Sequence, residues 1–161
     1  MTSEESPLLS ALELKIPPPV VALLVGTTMW LAAPLGPALD VPAPLRAGLA
    51  IAIALVGAGF DVAGALGFRR ARTTVNPMQP AKTSALVTSG IYRVSRNPMY
   101  VGLLCILAGW AVYLASLWPL AGPALFVLYI GRFQIAPEER ALAARFGAEF
   151  AAYSAKVRRW L

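Results

Sequence analysis

Residues 97–131 read NPMYVGLLCILAGWAVYLASLWPLAGPALFVLYIG and contain no charged side chain. A continuous helix of this length would extend about 52 Å at 1.5 Å per residue, whereas the hydrocarbon core of a bilayer is about 30 Å thick. The stretch must therefore fold back on itself. Because proline disrupts a helix interior and tryptophan prefers the membrane interface, we expect the turn at residues 116–119, between spans near residues 99–115 and 119–135.

The composition of the whole chain favours a small membrane protein. Of the 161 residues, 58% are hydrophobic and 14% are charged, whereas soluble domains are about half apolar and a quarter charged. Residues 16–39 carry no charge, and residues 47–68 carry only Asp61, so each stretch is long enough for one membrane helix. We predict an all-α, multi-pass bundle of about four spans, with a cytoplasmic loop and a C-terminal amphipathic helix.

The basic residues predict the orientation of this bundle. Six of them lie between the second and third spans without an acidic residue: Arg69, Arg70, Arg72, Lys82, Arg93 and Arg96. Six more follow near the C-terminus: Arg132, Arg140, Arg145, Lys156, Arg158 and Arg159. With four spans both groups lie on one side, which the positive-inside rule makes cytoplasmic together with both termini. We expect residues 1–15 to be an exposed tail rather than a signal peptide, and residues 16–161 to form one domain.

The C-terminal residues predict a helix that lies on the bilayer. Pro137 suits the first turn of a helix, and Glu138 and Glu139 suit its positive dipole end. Apolar residues recur every three or four positions from Leu142 to Val157, so residues 137–161 are expected to form an amphipathic helix. Within it, Gly147 marks either a kink or a close approach to a neighbour.

The residue types exclude much catalytic chemistry. The chain has no histidine, so imidazole metal sites and Ser/His or Cys/His dyads are absent, and we predict no metal site. Its single cysteine, Cys105, is expected to serve packing. In a chain this apolar, the net charge of +6 favours anionic lipid headgroups over nucleic acid. Asp61 is costly inside a membrane and is either functional or a helix-to-helix contact.

Two polar clusters lie at the predicted cytoplasmic face. The first is residues 88–102 (TSGIYRVSRNPMYVG), where the chain enters the third span. The second comprises Gln134, Glu138 and Glu139 at the end of the fourth span. Arginines and tyrosines that meet lipid headgroups, and acidic residues that favour a helix start, would explain both clusters without any chemistry. The residues alone leave a structural and a functional interpretation open.

Together these residues resemble the isoprenylcysteine carboxyl methyltransferase and phospholipid methyltransferase superfamily. The shared pattern, over roughly residues 69–161, is Gly90-x-Tyr92, Arg96-Asn97-Pro98-x-Tyr100-x-Gly102, Glu138-Glu139, Phe146-Gly147, Tyr153 and Val157. The resemblance implies an integral membrane enzyme that binds S-adenosylmethionine from the cytosol. It also implies that the enzyme methylates a lipophilic acceptor reaching it from the bilayer.

The resemblance also implies the site residues. The cofactor would be bound by Asn76, Ser84, Ala85, Leu86, Val87, Tyr92, Arg96, Asn97, Pro98, Met99, Tyr100 and Glu138. The catalytic side would use Glu138, Glu139, Gln134 and Arg132, with a glutamate as base if the acceptor is a protonated amine. The prenylcysteine enzymes have an arginine where this chain has Gln134, so a carboxylate acceptor would need Arg132 instead. A phospholipid amine, a lipid-like thiol or alcohol, and a prenylcysteine-like carboxylate stay open as acceptors.

Two other functions also stay open. Membrane sterol reductases resemble the same C-terminal pattern and use a nicotinamide cofactor, although this chain has no dinucleotide-binding glycine motif. A non-enzymatic lipid-binding or assembly protein could share the fold, and the missing arginine at Gln134 favours it. Cofactor binding discriminates the reductase, and turnover discriminates the non-enzymatic protein.

Overall fold

A computed structural model describes residues 13–71 and 85–161, and this part of the chain is α-helical. The helices are α1 (Pro18–Ala32), α2 (Ala43–Arg70), α3 (Pro98–Leu114), α4 (Ala121–Ile130), α5 (Ala136–Phe146) and α6 (Ala148–Ser154). Short 3₁₀ turns occupy Ala33–Leu35, Gly90–Arg93 and Trp118–Leu120, and a π-helical turn, Gly131–Ile135, joins α4 to α5. Since the described residues contain no strand, the all-α prediction is confirmed.

The apolar stretches form the predicted helices. Three stretches of the described chain are long and apolar enough to cross a membrane: Pro18–Leu35, Ala43–Arg70 and Trp118–Phe146. α3 is also apolar but has only 17 residues. It ends at Leu114, and the left-handed backbone of the next residue, Ala115 (φ 45°), starts the predicted reversal. The buried Ser116 hydroxyl fixes this turn by donating to the carbonyl of Ala33 at 2.9 Å.

The prediction that a helix has Pro137 in its first turn, followed by Glu138 and Glu139, is confirmed by α5, but this helix is continuous with α4. The helical backbone continues from Trp118 through Phe146 without interruption. Proline has no N–H to donate to the carbonyl four residues earlier, which belongs to Phe133, and the π-helical turn lies at this point. The backbone N–H of Leu14 donates to that carbonyl instead, at 3.0 Å. A distant segment therefore satisfies the group that proline leaves unpaired.

The predicted helix is also shorter than expected at its C-terminal end. It breaks at Gly147, which has a φ of +48° and open space where a Cβ would lie, so this glycine marks a kink rather than a close approach. α6 ends at Ser154, and residues 155–161 run across the start of α3. There the N–H of Arg96 donates to the carbonyl of Arg158 at 3.0 Å.

Glycines bring α2 and α3 into close antiparallel contact. A Cβ added at Gly57 would lie 2.6 Å from the carbonyl oxygen of Gly102, and one at Gly109 would lie 2.8 Å from that of Ala50. A Cβ at Gly64 or Gly67 of α2 would also lie within 3 Å of a neighbouring atom, whereas one at Gly59 would meet none of the described residues within 4 Å. Asp61 packs against Gly102, which makes it a helix-to-helix contact.

The hydrophobic core lies between α1, α3 and α4. Its buried members are Val21, Met29, Tyr100, Leu107, Ala111, Phe126, Ile130 and Ile135. Tyr100 is at the start of α3 and Ile135 is at the end of the π-helical turn, so the core holds these two segments together. The polar residues that flank them are thereby brought to one end of the bundle.

Candidate functional site

The candidate site lies where α3 begins and α4 passes into α5. The hydroxyl of Tyr100 donates to Oε1 of Glu138 at 2.6 Å, and the side-chain amide of Gln134 donates to the same oxygen at 3.0 Å. Gln134 and Glu138 share a helix face because they are four residues apart. Gln134 is only 2% exposed, so this carboxylate is oriented by a buried amide and a buried tyrosine.

The partners of Glu138 are both neutral. Within residues 13–71 and 85–161, no arginine or lysine forms an ion pair with this carboxylate. Its second oxygen, Oε2, accepts no hydrogen bond from the described residues. A carboxylate removed from water is stabilised by a cation more than by neutral donors. Glu138 can therefore interact favourably with a cationic group of a bound molecule.

The adjacent Glu139 is in the opposite electrostatic environment. Its Oε1 is 2.6 Å from Nη2 of Arg96, and its carboxylate also pairs with the guanidinium of Arg159. The Arg96 and Glu139 side chains are 14% and 19% exposed, so this ion pair is largely screened from water. Because its charge is compensated, Glu139 serves to hold chain segments together.

Arg96 connects α5 to the C-terminal tail. Its Nη1 donates to the carbonyls of Ser154 and Val157 at 2.9 and 2.8 Å. Its Nε is buried and has no acceptor among the residues that the structure describes. Nη1 thus positions the tail and Nη2 pairs with Glu139, whereas the Nε–H is a buried donor that is able to bind a ligand.

Asn97 and the two residues after it form the start of α3. The Asn97 amide nitrogen Nδ2 donates to the carbonyl of Arg159 at 2.9 Å, and its backbone N–H donates to the hydroxyl of the buried Ser95. Pro98 is buried at the first helical position, and Met99 packs against Gly64 of α2. Asn97 therefore lies at this end of the bundle, where its side-chain amide binds a backbone carbonyl of the tail.

Tyr92 and Tyr153 close the side of the site that faces α2. The Tyr92 ring packs edge-on against Phe68 at 5.3 Å between centroids, and the hydroxyl of Tyr153 donates to the Tyr92 carbonyl at 2.7 Å. Burial, with smaller effects of Tyr153 and Glu138, holds the pKa of Tyr92 well above its usual value. Burial raises the pKa of Tyr153 to about 12 despite the nearby Arg96. Both phenols remain protonated donors at neutral pH.

The remaining predicted cofactor residues precede this turn. Val87 is buried, and its side chain lies next to Gly67 and Tyr92. Ala85 and Leu86 are half-buried just before it. Asn76 and Ser84 lie outside the described residues. The described members of the predicted set thus flank the Tyr92 turn and the start of α3.

Arg132 belongs to a different cluster. Its Nη1 is 2.6 Å from Oε1 of Glu13, whose other oxygen pairs with Arg140. Burial alone would raise the pKa of Glu13, but hydrogen bonds from the two arginines outweigh it and hold the pKa below its usual range. The guanidinium predicted to replace the missing arginine at Gln134 is therefore held by Glu13.

Sequence reasoning missed Glu13, Ser95 and Arg159 as parts of these clusters. Arg159 was visible only as one of many basic residues, and its partner Glu139 is 20 residues away. Glu13 lies 119 residues from Arg132. No local pattern indicates either pairing.

Comparison with known proteins identifies the family of this chain. A family model described as phospholipid methyltransferase matches residues 45–149. An uncharacterized protein of Haemophilus influenzae is 46% identical over 63 residues, which are 39% of this chain and the whole of that protein. No solved structure matches the chain significantly. The matched region contains residues 45–70 of α2, the Tyr92 turn, α3 and the Gln134–Glu138 pair. Together with the apolar helices, this match identifies the chain as a member of the phospholipid methyltransferase family, a family of membrane methyltransferases.

Proposed function

We propose that this protein transfers a methyl group from S-adenosylmethionine to the amine head group of a membrane lipid. Family membership supports methyl transfer, and the apolar helices support an acceptor that resides in the bilayer. The observation that carries the proposal is Glu138, a carboxylate held by Tyr100 and Gln134 without a cationic partner among the described residues. Such a group suits cationic ligands.

The described residues fit the chemical groups of S-adenosylmethionine. The cofactor has a carboxylate, an ammonium, a sulfonium and an adenine ring. The unpartnered Nε–H of Arg96 suits the carboxylate, and Glu138 suits a positive charge. Leu86, Val87 and Tyr92 supply an apolar wall of the kind that adenine requires. The proposed cofactor set keeps Asn76, Ser84, Ala85 and the Asn97–Tyr100 stretch around these groups.

The roles of the protein side chains follow from this chemistry. S-adenosylmethionine supplies a methyl group on a sulfonium whose departure needs no acid, so alignment accounts for most of the acceleration. An amine acceptor is protonated at neutral pH and must lose a proton to expose its lone pair. Glu138 is positioned to take that proton, while Tyr100 and Gln134 hold its carboxylate in place. Glu139 is excluded from this role by its two arginine partners.

The same residues argue against a carboxylate acceptor. Gln134 carries no charge, and Arg132 is paired with Glu13. A carboxylate acceptor next to Glu138 would meet like charge, and the unpartnered Nε–H of Arg96 is already assigned to the cofactor carboxylate. A phospholipid amine therefore agrees better with the site than a prenylcysteine-like carboxylate does. The basic clusters further support a cytoplasmic position of the site and of both termini, within one domain over residues 16–161 whose cofactor-binding part is residues 69–161.

Calorimetry on the detergent-solubilised full chain tests cofactor binding. We expect S-adenosylhomocysteine to bind, the Glu138→Gln variant to bind at least about tenfold more weakly, and the matched Glu149→Gln variant to bind like the parent. Glu149 is an exposed carboxylate in the first turn of α6. Binding of NADPH instead would establish the reductase alternative, and binding of neither ligand would favour the non-enzymatic lipid-binding protein.

Turnover tests the acceptor. Vesicles containing phosphatidylethanolamine should accept labelled methyl groups, whereas a prenylcysteine carboxylate offered in the same vesicles should not. The Glu138→Gln variant should lower the rate at least about hundredfold if its carboxylate takes the amine proton. Preferential methylation of the carboxylate would disprove the proposed acceptor class while leaving cofactor binding intact.

A further inference from the structure

An apolar groove of about 700 Å³ lies between α1, α2 and α3, separate from the candidate site. Although α1 and α2 are consecutive in the chain, small residues along their facing surfaces leave this gap open. These residues are Ala22 and Gly26 on α1, Ala50 and Ala54 on α2, and Gly109 on α3. Among the described residues no charged side chain lines the groove, and its volume is within the roughly 300–1,000 Å³ typical of ligand pockets.

The floor of the groove has a fixed geometry. The indole Nε1 of Trp110 donates to the carbonyl of Gly26 at 3.0 Å, which ties α3 to α1 beneath the gap. The Trp110 ring is stacked on Tyr113, with centroids 5.4 Å apart and an interplanar angle of 13°. Because these two contacts hold the Trp110 ring in place, this side chain does not rotate to close the groove.

A cation lies at one end of the groove. The guanidinium carbon of Arg46, in the first turn of α2, is 5.7 Å from the centroid of the Tyr113 ring. The N–H groups of Arg46 have no acceptor among the described residues, and Asp40 nearby in the sequence forms no ion pair with it. The Tyr113 ring thus holds the Arg46 guanidinium by a cation–π contact, while its N–H groups bind no described residue.

This end of the groove is far from the candidate site. Tyr113 and Pro98 are near opposite ends of α3, and 15 helical residues correspond to about 22 Å. A lipid headgroup at Arg46 and an acceptor headgroup at Glu138 would therefore occupy opposite leaflets.

We infer that the groove binds one acyl chain of a phospholipid whose phosphate is held by Arg46. The uncharged walls suit a hydrocarbon chain, and an arginine with available N–H donors suits a phosphodiester. Two features on the same groove thus fit the two parts of one molecule. This lipid is a bound component of the bundle in the leaflet opposite the candidate site, and it is distinct from the methyl acceptor.

The test is native mass spectrometry of the full chain, delipidated in mild detergent and titrated with phosphatidylglycerol or with diacylglycerol. We expect phosphatidylglycerol to bind and diacylglycerol, which lacks the phosphate, to bind at least about tenfold more weakly. Arg46→Gln should cause the same loss for phosphatidylglycerol. Thr27→Phe, at an exposed position that lines the groove, should abolish binding by filling it.

The matched control is Arg145→Gln. Arg145 also lies over an aromatic ring, 5.9 Å from the Phe146 centroid, but at the other end of the molecule, so its loss should leave phosphatidylglycerol binding unchanged. Equal binding of both lipids to the parent and to Arg46→Gln would overturn the phosphate site. A shift from dimer to monomer in Thr27→Phe would show that a second copy of the chain, and not a lipid, fills the groove.

Discussion

Two neighbouring glutamates show how strongly the surroundings determine the role of a residue. Glu138 receives hydrogen bonds from a tyrosine and an amide, whereas Glu139 receives them from two arginines. The same side chain thus accepts hydrogen bonds from neutral donors at one position and forms ion pairs at the next. A helix places consecutive residues about 100° apart, so the pair faces two different sets of neighbours.

Tyr100→Phe tests whether the orientation of Glu138 matters for binding. Loss of the O–H removes a 2.6 Å hydrogen bond to the carboxylate but keeps the buried ring. We expect S-adenosylhomocysteine affinity to fall about tenfold, because a hydrogen bond to a charged group contributes about 1.5–3 kcal/mol. Calorimetry measures this change, and Tyr129→Phe is the control. An unchanged affinity would remove Tyr100 from the site.

Gly102→Ala tests the α2–α3 contact. An added Cβ would lie 2.2 Å from Oδ1 of Asp61 and 2.7 Å from the carbonyl of Gly57, so one helix must shift. We expect the free energy of unfolding to fall by about 1–3 kcal/mol, as is usual when a tight interior is overpacked. Thermal unfolding in detergent reports the change. As the control, Gly59→Ala lies on α2, but its Cβ would meet no described residue within 4 Å, so the free energy of unfolding should be unchanged or slightly increased.

At the scale of elements, the tail after α6 contacts the candidate site although it is not helical. Backbone carbonyls of Ser154 and Val157 accept from Arg96, and that of Arg159 accepts from Asn97. The start of α3 is therefore held by a segment about 60 residues later in the chain. The position of the tail depends on ion pairs made by α5, so these elements should respond to mutation together.

Glu139→Gln tests this dependence. The substitution removes the charge that holds both Arg96 and Arg159, and it leaves the largely buried guanidinium of Arg96 and the exposed one of Arg159 without this counter-ion. We expect a loss of about 1–3 kcal/mol in local stability and faster amide hydrogen exchange over residues 148–161. Exchange mass spectrometry measures this, with Glu149→Gln as the control. Unchanged exchange would mean that other contacts hold the tail.

At the scale of the whole molecule, the positions of the basic residues and of the candidate site are consistent with the same membrane orientation. The basic residues of the described loop, of α5 and of the tail cluster at the end of the bundle where α3 begins, together with Glu138. That end is predicted to face the cytoplasm, from which S-adenosylmethionine would come. Arg46 and Asp40 are at the opposite end.

Cysteine labelling tests this orientation. In a Cys105→Ala background, we expect Ala148→Cys to react with a membrane-impermeant maleimide only in inside-out vesicles. Ala38→Cys, in the exposed connection before α2, should react only in right-side-out vesicles. The two variants serve as controls for each other. The reverse labelling pattern would invert the predicted topology and place the site outside.

Features with local causes were predictable from the sequence. The uncharged stretches predicted α1 to α4, and the turn at Trp118–Pro119 was predicted correctly. Both predictions depend on local properties, namely the length of an apolar stretch and the backbone geometry of proline. The continuity of α4 and α5 was not predictable, since the carbonyl of Phe133 that Pro137 leaves free is satisfied by Leu14. The motif residues predicted a candidate site that remains a prediction, and the pairing of Arg132 with Glu13 could be found only from the folded chain.

The π-helical turn Gly131–Ile135 has a consequence for how this chain tolerates insertions and deletions. A π turn accommodates one residue more than a regular turn, so its register determines the direction in which every later residue of the rod points. Removing one residue there would rotate α5 by about 100° and turn Glu138 away from Tyr100, without altering any side chain of the site. The number of residues between positions 130 and 136 therefore matters for the geometry of the candidate site as much as the identity of those residues. We expect natural insertions and deletions to be confined to other segments.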